Sequence, residues 1–295
     1  MWSAQTIELV KAACQEDLGA HGDITSALLG RTSESAGRLV LRQGGVICGM
    51  ELAPLICQTF SDRLGQPLEF RPLAVEGRAY RDGDIVAADT CVATVHGAHA
   101  ALLTVERTLL NFLGRMSGVA TLTRRFVDAA RQVDPRVKIL DTRKTLPGWR
   151  QLDKYAVRAG GGHNHRFGLY DAILIKDNHL AGVPSSDLPT VLDEWLRCCP
   201  TQPAFVEVEV DSLSQFYEVC QVASVDIVLL DNFSLADMRA AVAHRDSLNR
   251  SRLELEASGC VGLDDVREIA ATGIDRISVG ALTHSAPVLD LALDV

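Results

Sequence analysis

The sequence predicts an α/β protein, an open and incomplete α/β barrel preceded by an N-terminal α/β sandwich domain. Three observations carry that prediction. Six short apolar runs after residue 136 recur at intervals of 22–35 residues with helical patterns filling the gaps between them, which is how parallel βα units read in sequence. Six units are too few to close an eight-stranded barrel, so an open barrel fits best, with an open doubly wound sheet as the alternative. The first 113 residues are built differently, from short strands, tight turns and a few helices.

In chain order, Ile7, Val10, Cys14 and Leu18 form one stripe of an opening helix, followed by the Gly- and Asp-rich loop EDLGAHGDITS. Strands are expected over 38–42, 45–49 and 68–72, and over 84–95 in two pieces around Ala88 and Asp89. The stretch RDGDIVAADTCVATVHG resembles the hairpin of a carrier module, but no Lys stands at a hairpin tip, which argues against a lipoyl or biotinyl role. A long helix over 98–132 follows, with Leu102, Val105, Leu109, Phe112 and Leu113 at helical spacing; Gly114 and Gly118 permit a break or a close approach. The barrel strands are VKILD (137–141), AILIK (172–176), FVEVE (205–209), IVLLD (227–231), LELEA (253–257) and RISVG (276–280). Helices are expected between them over 148–159, 186–198, 212–223, 235–249 and 263–271. The predicted domains are therefore 1–113 and 114–283.

Composition narrows the function. The chain has 295 residues, 47% hydrophobic and 23% charged, enough to bury a core without disulfide or metal staples. Its eight cysteines form no C-x-x-C pair and mostly lie in apolar stretches, so buried thiols are expected, with Cys260 as an exception. No apolar run reaches the length of a membrane span and the start lacks a signal-peptide pattern, so a soluble cytoplasmic protein is expected. A net charge of −9 argues against nucleic acid. Residues 136–179 run the other way. Nine Lys/Arg against four Asp give that segment +5 and leave −14 for the rest, and it also holds His163, His165 and His179. If these cations converge, an anion is expected among them; if they are spread around a helix, they are a solvated face.

The strand ends carry the chemistry. Active sites of βα barrels lie at the C-terminal ends of the strands. Here those ends read Asp141-Thr142-Arg143-Lys144, Lys176-Asp177-Asn178-His179, Glu209, Asp231-Asn232, Ser258-Gly259 and Gly280. Turn formers alone would explain Asp-Asn or Ser-Gly, but not Lys176 and Glu209. By strand alternation Glu207 shares a face with Glu209, and Glu254 with Glu256. Four inward carboxylates need partners, namely Lys144, Lys176, the arginines or a metal. The run RAGGGHNHRFG (158–168) combines three glycines with His163, His165 and Arg166, a composition suited to wrapping an anion with main-chain N–H groups and planar donors. Arg107 interrupts an apolar helical pattern and either pairs locally, with Glu106 or an i+4 neighbour, or serves a site.

These segments together resemble the quinolinate phosphoribosyltransferase family, also called carboxylating nicotinate-nucleotide pyrophosphorylases. The matching segments are EDLGAHGDITS (16–26), ERTLLNFLGRMSGVAT (106–121), the 40-residue block DTRKTLPGWRQLDKYAVRAGGGHNHRFGLYDAILIKDNHL (141–180), VEVEV (206–210), DIVLLDNF (226–233), LEASG (255–259) and ISVGALTHSAPVLDLAL (277–293). The resemblance implies an N-terminal sandwich, an open barrel, and a final segment, 284–295, that returns to the N-terminal domain. It implies a homodimer or higher homo-oligomer in which each N-terminal domain caps its partner's barrel, with the active site at the subunit interface. It implies transfer of phosphoribosyl from 5-phosphoribosyl 1-diphosphate to quinolinate with Mg²⁺, releasing diphosphate and carbon dioxide and leaving nicotinate mononucleotide for NAD biosynthesis.

Carried over by position, the quinolinate clamp would be Arg143, His165, Arg166 and Lys176, with Thr142 beside them and Arg107 from the neighbouring subunit. Lys144 and Lys176 would face the diphosphate. Glu209 and Asp231 would hold the ribose hydroxyls and, indirectly through the donor, the metal; the catalytic set is Lys144, Lys176, Glu209 and Asp231. Ser258, Gly259 and Gly280 would line the 5′-phosphate pocket. One departure stands out. The family commonly reads S-G-G after the fifth strand, where this chain has Ser258-Gly259-Cys260. Relatives linked to molybdenum uptake lack the DTRKT-LPG and HNHR forms and are a weaker match. The alternatives are a phosphoribosyltransferase for another heteroaromatic acid, a Schiff-base aldolase using Lys176, and a non-enzymatic sensor of a pyridine dicarboxylate or phosphosugar. The aldolase reading leaves the surplus of anion-binding groups unexplained, and a sensor need not keep both the clamp and the Glu209/Asp231 pair.

Overall fold

A computed structural model describes residues 2–29, 33–248, 250 and 252–295. The chain divides into two compact units: Met1–Arg124 with Thr145–Gly161 and Ser285–Val295, and Arg125–Lys144 with Gly162–His284.

The first unit opens with α1 (Ala4–Leu18). Its N-cap Ser3 accepts a hydrogen bond from the Thr6 N–H, and it buries Thr6, Val10, Cys14 and Leu18, a stripe repeating every four residues. Ile7, expected on that stripe, is only half-buried. After β1 (Glu34–Leu41) and β2 (Gly45–Val46) comes α2 (Ala53–Leu64), entered through Pro54 and buried at Ala53, Ile56, Cys57 and Phe60. The strands β3 (Leu68–Pro72), β4 (Ala74–Val75), β5 (Arg78–Ala79), β6 (Ile85–Val86) and β7 (Thr90–Ala98) follow. The chain's last strand, β14 (Leu291–Asp294), completes a four-stranded antiparallel sheet in the order β14-β1-β7-β3, while β2/β6 and β4/β5 make two small ladders.

The long helix α3 (His99–Arg131) is unbroken, and the expected boundary at 113/114 falls inside it. Gly114 and Gly118 serve close packing instead of a break. A Cβ on Gly118 would lie 1.9 Å from the Pro287 carbonyl oxygen, so only glycine lets the C-terminal segment lie against the helix there. This contact leads directly into β14. The helix α4 (Arg150–Ala159), expected within the barrel, belongs to the first unit. Its Tyr155 hydroxyl donates to Asp82, its buried Asp153 pairs with Arg115 of α3, and Trp149, just before it, stacks on Phe112. Those partners, 37 to 73 residues away in sequence, outweigh chain proximity.

In the second unit all six expected strands form: β8 (Lys138–Leu140), β9 (Ile173–Ile175), β10 (Val206–Val210), β11 (Ile227–Asp231), β12 (Glu254–Ser258) and β13 (Arg276–Ser278). They make one parallel sheet in the order β8-β13-β12-β11-β10-β9. Each strand from β9 to β13 lies beside its successor, the winding of a βα barrel, and the curl ends with β8 and β9 as edges. That is the open barrel, not the doubly wound alternative. The helices are α5 (Leu188–Arg197), α6 (Leu213–Val219), α7 (Leu235–Ser247), α8 (Val266–Ala270) and α9 (Ala281–His284). The open edge of β8 is met by the segment after the triple glycine: the His163 N–H donates to Ile139 O at 2.8 Å and the Asp141 N–H to His163 O at 3.1 Å.

The cysteines depart from expectation. All eight are free, and Cys14, Cys48, Cys57 and Cys220 are buried, but Cys91 and Cys199 are half-buried and Cys198 and Cys260 exposed. Cys198 and Cys199 follow α5, where the chain has left the apolar face that Leu188 and Leu192 bury. No helix among the described residues is long and apolar enough to cross a membrane.

Candidate active site

The strand ends of the second unit enclose a cavity of about 600 Å³. Ten of the twelve expected site residues line it: Thr142, Arg143, Lys144, His165, Arg166, Lys176, Glu209, Asp231, Ser258 and Gly259. Gly280 lies behind it, where a Cβ would meet the Lys144 Cδ at 3.0 Å. Arg107 is an exposed residue of α3 in the other unit. Leu174, Leu229, Asn232, Cys260 and Ser278 complete the wall. Ser278 was legible in principle, since alternation in RISVG places it on the same face as Arg276.

Four of the nine cations of 136–179 converge on the cavity, Arg143, Lys144, Arg166 and Lys176, whereas Arg150, Lys154 and Arg158 lie on α4 in the first unit. Arg166 is buried, and burial together with the nearby charge of Arg143 lowers its pKa from the usual guanidinium value. Such crowding is tolerable when an anion is to be held there. Across the cavity the Lys176 ammonium pairs with the Glu209 carboxylate. The Asp231 carboxylate accepts a hydrogen bond from the Asn232 side chain at 2.8 Å. Asn232 adopts a left-handed backbone, φ 55°, and packs so closely on Gly259 that a Cβ there would lie 2.2 Å from its side-chain oxygen. Gly259 itself has φ 108°. Cys260 also has a left-handed φ, 43°, which costs a residue bearing a Cβ about 1 kcal/mol or more.

Below the mouth, the inward positions one step down the strands form a charged layer. Arg276 donates to Glu256 at 2.7 Å and to Glu254 at 3.1 Å, and Lys138 to Glu254 at 2.6 Å. The His165 Nε2 lies 2.8 Å from Glu207 and 3.5 Å from Glu256, and both glutamates are 0% exposed. Glu209, Glu254 and Glu256 are thus partnered by Lys176, Lys138 and Arg276, and Glu207 faces His165 although neither of its oxygens receives a hydrogen bond among the described residues; Lys144, expected among the partners, lines the cavity instead. Burial opposes a charge on His165, but Glu207 and Glu256 outweigh it and raise its pKa. Burial, and then Glu256, raise that of Glu207. The Arg166 N–H donates to His165 Nδ1 at 2.7 Å, so this nitrogen carries no proton. The ring's N–H is thus on Nε2, which faces Glu207 and Glu256.

His163 behaves differently. Burial, helped by Lys138, Arg131 and Arg276, lowers its pKa, and it does not line the cavity.

Glu209 and Asp231 offer hard carboxylate oxygens beside open space. This donor set fits Mg²⁺, which commonly takes one or two carboxylates together with substrate phosphates. The ion pair from Lys176 already partly satisfies Glu209, which suits a metal held chiefly through a bound phosphorylated ligand.

Family profiles match both halves of the chain: "Quinolinate phosphoribosyl transferase, N-terminal domain" over residues 23–117 and the corresponding C-terminal domain over 119–294. The chain belongs to the quinolinate phosphoribosyltransferase family. It is 40% identical over 289 residues to the carboxylating nicotinate-nucleotide pyrophosphorylase of Mycobacterium leprae, covering 98% of this chain and 96% of that one. It is 37% identical over 300 residues to the decarboxylating quinolinate phosphoribosyltransferase 1b of Nicotiana tabacum, covering 97% of this chain and 81% of that protein. The crystal structure of NadC from Streptococcus pyogenes superposes with a TM-score of 0.88 at 33% identity, over 100% of this chain and 98% of that one. For a quinolinate phosphoribosyltransferase, a cavity lined by four cations and two carboxylates has an immediate reading.

Proposed function

We infer that this chain is a decarboxylating quinolinate phosphoribosyltransferase, joining quinolinate to 5-phosphoribosyl 1-diphosphate in NAD biosynthesis. The observation that carries the reading is the convergence of Arg143, Lys144, Arg166 and Lys176 with Glu209 and Asp231 in one cavity of an acidic protein.

The division of labour follows from charge. Arg143 and Arg166 grip the two carboxylates of quinolinate, each charge-assisted hydrogen bond contributing about 1.5–3 kcal/mol. His165 is part of the wall, but the protein already engages both its ring nitrogens, so it supports the clamp more than it grips. Lys144 and Lys176 face the diphosphate. Glu209 and Asp231 would hold Mg²⁺ through the bound donor, and the ion would supply charge neutralisation on the leaving diphosphate. As that group departs, the same two carboxylates face positive charge developing at the sugar C1, which they stabilise by preorganised electrostatics. The clamp aims the pyridine nitrogen at C1, and such orientation can lower a barrier by about 7–11 kcal/mol in ideal cases. Once that nitrogen is quaternary, its charge stabilises the electron pair left at C2 when carbon dioxide leaves, and a proton from solvent then adds at C2 to give nicotinate mononucleotide. No pyridoxal or thiamine group is required. Ser258 and Gly259, with Gly280 behind Lys144, form the 5′-phosphate end.

We further propose a homodimer or larger homo-oligomer, in which the exposed Arg107 of one subunit completes the clamp of another. Eight free thiols fit a cytoplasmic location. The test is incubation with quinolinate, phosphoribosyl diphosphate and Mg²⁺. Equal yields of carbon dioxide and nicotinate mononucleotide are expected. Turnover of another heteroaromatic acid in place of quinolinate would overturn the substrate assignment, and a borohydride-trapped adduct on Lys176 would favour the aldolase.

A further inference from the structure

The buried layer beneath the cavity contains groups to which the reaction assigns nothing. His165, Glu207 and Glu256 bring one ring nitrogen and two carboxylate oxygens within 4.8 Å of one another, a set that a divalent cation would ordinarily take. Two observations argue against a cation. Nδ1 of His165 accepts the Arg166 N–H, which leaves the proton on Nε2, where a metal would have to bind. Arg276 already donates to Glu256 at 2.7 Å.

His165 and Arg166 of the segment 163–168 line the cavity at the open edge of the barrel, where among the described residues no strand joins β8 to β9. Its backbone is tied to flanking carboxylates: the His165 N–H donates to Asp141 at 3.0 Å, and the Phe167 and Gly168 N–H groups to Asp171 at 2.6 and 2.9 Å. These ties fix the outer path of the loop. The tie toward the barrel interior is the His165 ring, which reaches Glu207 on β10 and Glu256 on β12 while its other nitrogen receives the N–H of Arg166. With Nδ1 hydrogen-bonded and Nε2 held 2.8 Å from the Glu207 carboxylate, the ring is located from both sides. The residue it holds, Arg166, is the buried cation of the clamp.

We propose that Glu207 and Glu256 are positioning residues for the quinolinate clamp, acting through the His165 ring to set where Arg166 enters the cavity. This rests on the transferase reading above and adds two residues to it. In a barrel that lacks strand pairing at this edge, the ring bridges from the loop to strands on the far side of the gap. The predicted consequence is selective. Loss of the tie displaces the acid-binding side of the cavity and spares the side that holds the ribosyl donor.

The test compares Glu207→Met with Glu207→Gln in the full-length enzyme. Methionine keeps the length of the side chain and removes the carboxylate that faces Nε2; glutamine keeps an oxygen at that place. Glu207→Met is expected to raise KM for quinolinate at least tenfold with KM for phosphoribosyl diphosphate within twofold, and Glu207→Gln to restore quinolinate KM to within threefold. An unchanged quinolinate KM in the methionine variant overturns the proposal, as does an equal rise in both constants that glutamine fails to rescue. Should the methionine variant not fold, ¹⁵N-histidine spectra of the wild-type enzyme, with the signal assigned through His165→Gln, decide. A neutral His165 with its proton on Nε2 is expected, and a proton on Nδ1 refutes the link to Arg166. A wild-type enzyme that forms no nicotinate mononucleotide would sink the transferase reading itself, whereas normal turnover with insensitive variants would sink only this proposal.

Discussion

The antiparallel sheet of the first unit and the parallel sheet of the second obey the same two-residue alternation, yet their interiors have opposite chemistry. In the first, β1 and β7 bury Leu39, Leu41, Ala93 and Val95, over a core that includes Phe60 and Leu109. In the second, the inward positions of β10, β12 and β13 are Glu207, Glu209, Glu254, Glu256, Arg276 and Ser278, and the apolar residues Val208, Leu255 and Ile277 point the other way, into the helix layer. One sheet uses its interior for stability. The other obtains stability from its outer layer and spends its interior on binding. Burying charge is tolerable there because each carboxylate has a partner within ion-pair distance; an unpaired one would cost several kcal/mol.

This contrast can be broken by substitution. The largest effect is expected from Arg143→Ala, which removes at least one charge-assisted grip on quinolinate worth about 3 kcal/mol, so kcat/KM should fall about a hundredfold or more while urea unfolding is unchanged. Arg107→Ala should behave alike; near-normal activity in both would refute the clamp. In the first unit, Gly118→Ala forces a Cβ against the Pro287 carbonyl and should cost about 3 kcal/mol of stability, read as a lowered unfolding midpoint with quinolinate KM preserved at low temperature. If Gly118→Ala impaired binding instead of folding, the separation of roles would fail. Cys260→Gly removes the left-handed strain and should stabilise the protein by about 1 kcal/mol. Because Cys260 is an exposed thiol on the cavity wall, iodoacetamide should inactivate the wild type and spare this variant, with phosphoribosyl diphosphate protecting the wild type.

The smallest effect concerns pH. His163 has its pKa lowered in the folded state by burial and by Lys138, Arg131 and Arg276, against a smaller opposing contribution from Glu254. The unfolded chain therefore takes up this proton more readily. Stability from the neutral ring is present above the ordinary histidine value near 6.5 and is lost as pH falls through the lower folded value. His165, with its pKa raised, contributes in the opposite direction, so the comparison must be made between His163→Gln and wild type. The variant should gain stability relative to wild type between pH 7 and pH 5.5 in urea titrations, and a constant difference would contradict the assignment.

Particular residues show where sequence was enough. Lys176 and Glu209 were legible because charged residues closing apolar strands have few structural excuses, and they pair in the cavity. Arg143, Lys144 and Arg166 were legible as a local excess of cations, although only the fold turned that excess into a cluster. Arg276 was not legible, because an arginine at the start of RISVG reads as a strand boundary until β12 is placed beside it and Glu256 becomes its partner. The placement of α4 was misread for a similar reason. Arg150–Ala159 is helical on local pattern, but Asp82, Arg115 and Phe112 assign it to the first unit, and no periodicity encodes those partners.

What the amino-acid order settled by itself was the βα rhythm, the position of the strand ends and the kinds of group standing there. These depend on periodicities of two and 3.6 residues and on short-range turn chemistry, all of which are local. What tertiary structure alone decided was which charge meets which. The sense in which the sheet curls, the gap between β8 and β9, and the reach of His165 across it depend on contacts between residues tens of positions apart. A charged side chain in a strand becomes a burden or a tool only when its partner is in place.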